Sequence, residues 1–178
     1  MDIINSILVI VLILITGFFV AAEFAIVALK PTKVRELEES GNKNAKYVKI
    51  ITSRMNDYLA ACQLGNTLAA LAIGWLGEAT MHKWLQPLFD ILPLNATIER
   101  PVTVAISFLM ITYVNVVVGE LAPKTLSIQA ADKTALFVAR PLIIWYYAMY
   151  PFNWLLNESA NMIARLFGVK RNAEIDNG

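Results

Sequence analysis

Three apolar runs, at 3–29, 58–76 and 101–122, decide what this chain can become. A helix rises roughly 1.5 Å per residue, so about 20 mainly apolar residues cross a ~30 Å hydrocarbon core. Each run is of that order. Composition agrees: 57% of the 178 residues are hydrophobic and 16% are charged, with a mean hydropathy of +0.56. A soluble domain is nearer 45–50% apolar and about 25% charged. The expectation is an all-α membrane protein with three transmembrane helices and additional helices at the membrane surface.

The first run is no signal peptide, because Asp2 is its only early charge and it is too long. A charged stretch follows, in which Pro31-Thr32 can open a short helix, Val34 and Leu37 give it an apolar side, and Gly41-Asn42 can end it. A second short helix fits Asn44 to Ser53, so interfacial helix is expected over 31–53. The second run is rich in small residues (Ala61, Gly65, Ala69, Ala72), which let membrane helices approach closely. A loop is expected from Gly77 to Arg100, carrying His82, Pro87, Pro93 and Asn95, with Trp75 and Trp84 at the interface. Pro101 suits the first helical position of the third run. A polar stretch should follow Lys124 and reach Lys133. The block Ala135 to Leu156 holds Arg140, Pro141, Pro151 and five Trp or Tyr residues, which suits an interfacial helix better than a fourth span. An amphipathic piece then extends the interfacial region, giving 135–168. A membrane domain of 1–170 would end there, with 171–178 as a linker.

Lysine and arginine set the expected orientation. Seven of them lie between the first two runs (Lys30, Lys33, Arg35, Lys43, Lys46, Lys49, Arg54) and two between the second and third (Lys83, Arg100). The positive-inside rule places the first group in the cytoplasm, the N-terminus outside and the C-terminus inside. The lone Cys62 sits in an apolar stretch and reads as a small buried hydrophobe. With one cysteine and one histidine, neither a disulfide framework nor a multi-histidine metal site can be built. No nucleophile–base pair, Walker loop or nucleic-acid-binding pattern appears, so neither an enzyme nor a nucleic-acid partner is expected.

The chemistry concentrates on polar groups inside the runs. A carboxylate within a membrane costs roughly 2.5–3.5 kcal/mol even on a lenient scale and usually marks a pathway or site. Glu120 is such a group, and Pro123 follows it. Proline lacks the N–H that an α-helix would offer to the carbonyl four residues back, which is Gly119. A free backbone oxygen beside a carboxylate suits a hard cation such as Mg²⁺, Ca²⁺ or Na⁺. Gln63, Asn66 and Thr67 share the second run, Asn115 accompanies Glu120, and Thr16 and Glu23 lie in the first. The amides and threonines also fit plain interhelical hydrogen bonding. A bland account of Glu120 is a salt bridge to Lys124, four residues on along one helix face.

Three motifs carry a family resemblance. They are Gly17-Phe18-Phe19-Val20-Ala21-Ala22-Glu23-Phe24-Ala25; Cys62-Gln63-Leu64-Gly65-Asn66-Thr67 with Gly74-Trp75-Leu76-Gly77-Glu78; and Gly119-Glu120-Leu121-Ala122-Pro123-Lys124. Together they resemble the CNNM/CorC transmembrane domain of the hemolysin-like magnesium transporters, in order and over nearly the whole chain. The resemblance implies a plasma-membrane domain that exports Mg²⁺ in exchange for Na⁺, works as a homodimer and continues into an ATP-binding CBS-pair module. It implies a cation site from Ala22 and Glu23, Asn66, Gly119 and Glu120, supported by Gln63, Thr67, Asn115, Pro123 and Lys124. Many relatives have serine where this chain has Ala21 or Ala22, so here a backbone oxygen or water would replace a hydroxyl. A domain that binds Mg²⁺ as a membrane-anchored sensor, without moving it, would use the same residues.

Overall fold

The computed structural model describes residues 2–89, 91 and 96–166, and no strand occurs among them. The first apolar run becomes α1 (Asp2–Ala28). Lys30 is held extended (φ −75°, ψ 142°) and Pro31 starts α2 (Pro31–Glu39). A residue before proline disfavours the helical region, whereas proline itself suits the first helical turn. Gly41 then turns the chain with φ 69°, and Asn42 Oδ1 accepts a hydrogen bond from the Asn44 N–H at 2.9 Å. This Asx turn leads into α3 (Ala45–Ser53), which buries Ala45, Val48 and Ile51 on one face.

The second run extends well past its apolar part. Helix α4 (Met55–Phe89) has 35 residues, roughly 50 Å at helical rise. The loop expected from Gly77 onward is therefore helical as far as Phe89, and His82 and Pro87 lie in helix. The polar residues after Leu76 end the hydrophobic run, but nothing in Glu78–Gln86 breaks a helix, and Thr80, Met81 and Phe89 are buried. The third run is a continuous rod made of α5 (Ala96–Val114), a π-helical turn (Asn115–Leu121) and α6 (Ala122–Gln129). Pro101 lies inside α5 instead of opening it, and the polar stretch after Lys124 is helical as far as Gln129, within α6. Two further helices follow, α7 (Ala131–Ala148) and α8 (Tyr150–Leu166). Their boundary falls at Met149, not near residue 156, because Pro151 sits in the first turn of a new helix as Pro31 does. The linker assigned to 171–178 falls outside the described residues.

Among the described residues, three helices are long and apolar enough to cross a membrane: Ile3–Ala28, Met55–Phe89 and Arg100–Gln129. Helix α7 is not among them, since its 18 residues include Asp132, Lys133 and Arg140. Helix α1 is the hub, packing against α4, the π turn, α6 and α7. One apolar core joins α1 to the short helices, with Ala22, Ala25, Ile51, Tyr58, Cys62, Val138 and Leu142 all at most 2% exposed. A second core, at the other end of α1, joins Val9 and Ile13 to Ile73, Met81 and Ile111. Small residues permit both contacts. A Cβ on Gly65 would meet the Phe19 ring at 2.3 Å, and one on Gly77 would meet Ile111 Cγ1 at 2.7 Å. Where α1 and α4 meet near the N-terminus, Trp84 Nε1 donates to Ser6 Oγ at 3.0 Å.

Candidate cation site

The site centres on the π turn of the third rod. In a π-helix each N–H reaches the carbonyl five residues back, and the Ala122 N–H donates to the Val117 carbonyl. Next in that register, residue 123 would serve Val118; in α register it would serve Gly119. Residue 123 is proline and serves neither. The residue pattern alone pointed to the Gly119 carbonyl, and the π winding adds that of Val118. Only the change of register reveals it.

Both carbonyls face α1. A Cβ placed on Gly17 would lie 3.8 Å from the Val118 oxygen, 3.8 Å from the Gly119 oxygen and 3.2 Å from Pro123 Cγ. The opposing glycine is as tight: a Cβ on Gly119 would meet Asn115 Oδ1 at 2.8 Å and Thr16 Cγ2 at 3.2 Å. Two glycines thus let backbone approach backbone, and neither position admits a side chain without movement. Thr16 is fully buried, and its hydroxyl donates to the Leu12 carbonyl at 3.1 Å.

Two neutral oxygens stand out. Asn115 Oδ1 and Asn66 Oδ1 are buried and accept no hydrogen bond. Leaving a buried acceptor unpaired costs about 1–3 kcal/mol, which a bound cation would offset. Asn115 lies over Gly119 inside the π turn. Asn66 is on α4, directly after Gly65, where that helix meets Phe19 of α1.

Glu120 is half-buried on the same turn. The ion pairs among the described residues lie on and between α2, α3 and the start of α4, and none joins Glu120 to Lys124. Lys124 Nζ instead sits 4.4 Å above the Phe24 ring of α1. A π turn holds more than four residues, so Glu120 and Lys124 are not stacked as an α-helix would stack them. Glu23 is half-buried on α1, where it feels the charge of Lys124. Ala22 is fully buried in the apolar core and has no side-chain oxygen to offer. Gln63 and Thr67 are exposed, and the Thr67 hydroxyl donates to the Gln63 carbonyl at 2.8 Å, so they face away from α1. The structure therefore brings together Thr16, Gly17, Asn115, Val118, Gly119 and Pro123, with Glu120 on the same turn.

Among the described residues no three His, Cys, Asp or Glu side chains cluster to hold a metal. Any ion held here would depend on neutral oxygens with a single nearby carboxylate, a donor set for a hard cation and not for zinc or copper.

A sequence profile of the Cyclin M transmembrane N-terminal domain matches residues 7–177. The chain belongs to this family. It is 44% identical over 174 residues to the UPF0053 protein YhdP of Bacillus subtilis, covering 98% of this chain and 39% of that protein. It is 45% identical over 174 residues to YrkA (98% and 40%) and 46% identical over 168 residues to YugS (94% and 39%), both from the same organism. The chain thus spans about two fifths of the length of these relatives. As a Cyclin M transmembrane domain it is a helical membrane protein, and its π turn falls on the third of the motifs that signalled the family.

Proposed function

We propose that this chain is the membrane domain of a Mg²⁺ transporter. One observation carries the reading: a π turn in a membrane-spanning rod presents two carbonyls that Pro123 cannot serve to a glycine of α1, beside an unpaired buried amide oxygen. Such a feature in a membrane interior costs stability unless something fills it. A small, hard cation would do so. Mg²⁺ requires near-octahedral oxygen and sheds water reluctantly. One carboxylate (Glu120) and several neutral oxygens (Asn115, Val118, Gly119, with Asn66 from α4) would compensate it without trapping it. Pro123 withholds the N–H that would serve one of these carbonyls, Gly17 keeps α1 close, and Lys124 is drawn aside onto Phe24.

In this reading Mg²⁺ leaves the cell in exchange for Na⁺, and the seven basic residues before α4 face the cytoplasm. The chain sits in the plasma membrane as a homodimer and is followed in the whole protein by an ATP-binding CBS pair. The site would open alternately to the two sides as helices move past α1. The test is flux. Purified chain in liposomes with an entrapped Mg²⁺ indicator should dissipate a Mg²⁺ gradient, and Glu120→Gln should reduce the rate at least tenfold. Absence of flux in the wild-type chain, with Mg²⁺ still raising its melting temperature, would sink transport and leave a sensor.

A further inference from the structure

A second site lies at the membrane surface, away from the π turn and independent of the cation reading. The turn before α3 and the middle of α7 enclose a concave site of about 400 Å³ whose charged lining is Lys43, Lys46 and Arg140, with no carboxylate. None of the three belongs to an ion pair among the described residues; the ion pairs of this region engage Lys33, Lys49 and Arg54 instead. Two of the cations are held in place. Lys46 Nζ lies 4.9 Å and Arg140 Cζ 5.3 Å from the centre of the Tyr47 ring. The frame around them is tied as well, since Asn44 Nδ2 donates to the Leu136 carbonyl of α7 at 3.2 Å. Two held cations with Lys43 beside them, and no carboxylate in the lining, suit an anion.

Its nature follows from what adjoins it. Arg140, Ile144 and Ala148 form one stripe of α7, spaced four residues apart. Ile144 and Ala148 line an apolar groove of about 650 Å³, walled by Phe18 and Phe19 of α1 and Leu68 of α4. Trp145 completes the wall, fixed by its Nε1 donating to the Ala61 carbonyl at 2.9 Å. A cationic site at one end of an α7 stripe therefore continues into a hydrocarbon-lined groove. A soluble anion would use the first and leave the second bare. A phospholipid uses both.

We propose that this composite site holds one anionic phospholipid, its phosphate among Lys43, Lys46 and Arg140 and an acyl chain along the groove beside Trp145. It would fasten the surface helices α3 and α7 to the transmembrane helices α1 and α4 at their junction.

The experiment reads Trp145 fluorescence in a chain carrying Trp75→Phe, Trp84→Phe and Trp154→Phe. The vesicles are phosphatidylcholine with a fixed minor fraction of phosphatidylglycerol, so surface charge is constant. Brominated acyl chains, which quench tryptophan on contact, are placed on the phosphatidylglycerol or on an equal amount of phosphatidylcholine. Brominated phosphatidylglycerol should quench Trp145 more strongly. A basic side chain near an anionic surface is worth about fivefold in association, so Lys46→Gln or Arg140→Gln should each lower the preference by that order. The combined Lys43→Gln, Lys46→Gln, Arg140→Gln variant should abolish it, while Lys43→Arg with Lys46→Arg retains it. All three residues are exposed, so these variants should stay folded, losing at most about 1 kcal/mol for each cation–π contact removed. Equal quenching by the two brominated lipids would overturn the proposal. So would a preference that survives in the triple Gln variant. A preference removed by inorganic phosphate at matched ionic strength would replace the lipid with a soluble anion and overturn it too.

Discussion

Gly119 shows how much can rest on one missing methyl group. It lies between Asn115 Oδ1 and Thr16, and a Cβ there would sit within 2.8 Å of the amide oxygen. Gly119→Ala should push the Asn115 side chain away and lift the π turn off α1, lowering stability by about 1–3 kcal/mol and removing stabilisation by Mg²⁺. Gly74→Ala is the control, since nothing lies within 4 Å of its Cβ. There the better helix propensity of alanine should leave stability unchanged or raise it by up to about 1 kcal/mol. Thermal melting of the two variants with and without Mg²⁺ checks both; equal behaviour would refute the close approach. Lys124 separates two accounts of Glu120. Because Lys124 rests on Phe24 and not on Glu120, Lys124→Met should cost only about 0.5–1 kcal/mol of cation–π energy. It should leave Mg²⁺ binding intact or tighter, as a competing charge has gone. A loss of the Mg²⁺-induced melting shift, matching that in Glu120→Gln, would restore the salt-bridge account.

At the scale of elements the π turn is the unusual part. It inserts one extra residue into a helical turn, and Pro123 sits where a backbone N–H would otherwise close on Val118 in π register or on Gly119 in α register. Pro123→Ala returns an N–H to that position. The apo chain should become more stable by about 1 kcal/mol, the net worth of one backbone hydrogen bond. Stabilisation by Mg²⁺ should fall, because a ligand that binds only the native site contributes by mass action, about 2.7 kcal/mol at a hundredfold excess over Kd. A melting titration reads both effects. An unaltered Mg²⁺ shift in Pro123→Ala would show that the carbonyl served by the restored N–H is not a ligand. The other elements follow plainer rules. Prolines 31 and 151 open helices in their first turns, and Gly41 turns the chain out of α2 with positive φ.

At the scale of the whole molecule, α1 is the axle around which the other long helices and the surface helices pack. Its two ends belong to different cores, one shared with α4 and α5 and the other with the surface helices. The charged turn around Asn42 therefore marks one face of the membrane. On a Cys62→Ala background, a cysteine at Asn42 should be shielded from impermeant thiol reagent in intact cells and one at Asn95 should be labelled. External labelling at Asn42 would reverse the orientation argued from the basic residues.

Hydrophobic length alone announced three spanning helices, because in a bilayer the apolar run and the helix needed to bury it have nearly the same length. The turn chemistry of Pro31 and Gly41 was equally local and equally legible. The motif at Gly119–Lys124 and the lost α-register bond were visible in the residues themselves. What required the tertiary structure was everything set by neighbours. Helix α4 runs on to Phe89 because packing against α1 and α5 sustains a helix that hydropathy had ended at Leu76. The winding at Asn115–Leu121 is π, which moves the unserved carbonyl to include Val118. Gly17 faces Gly119, and Lys124 turns to Phe24 instead of Glu120. Spacing along a chain assumes one helical register; only the packed structure selects the register, and the register decides which oxygens meet.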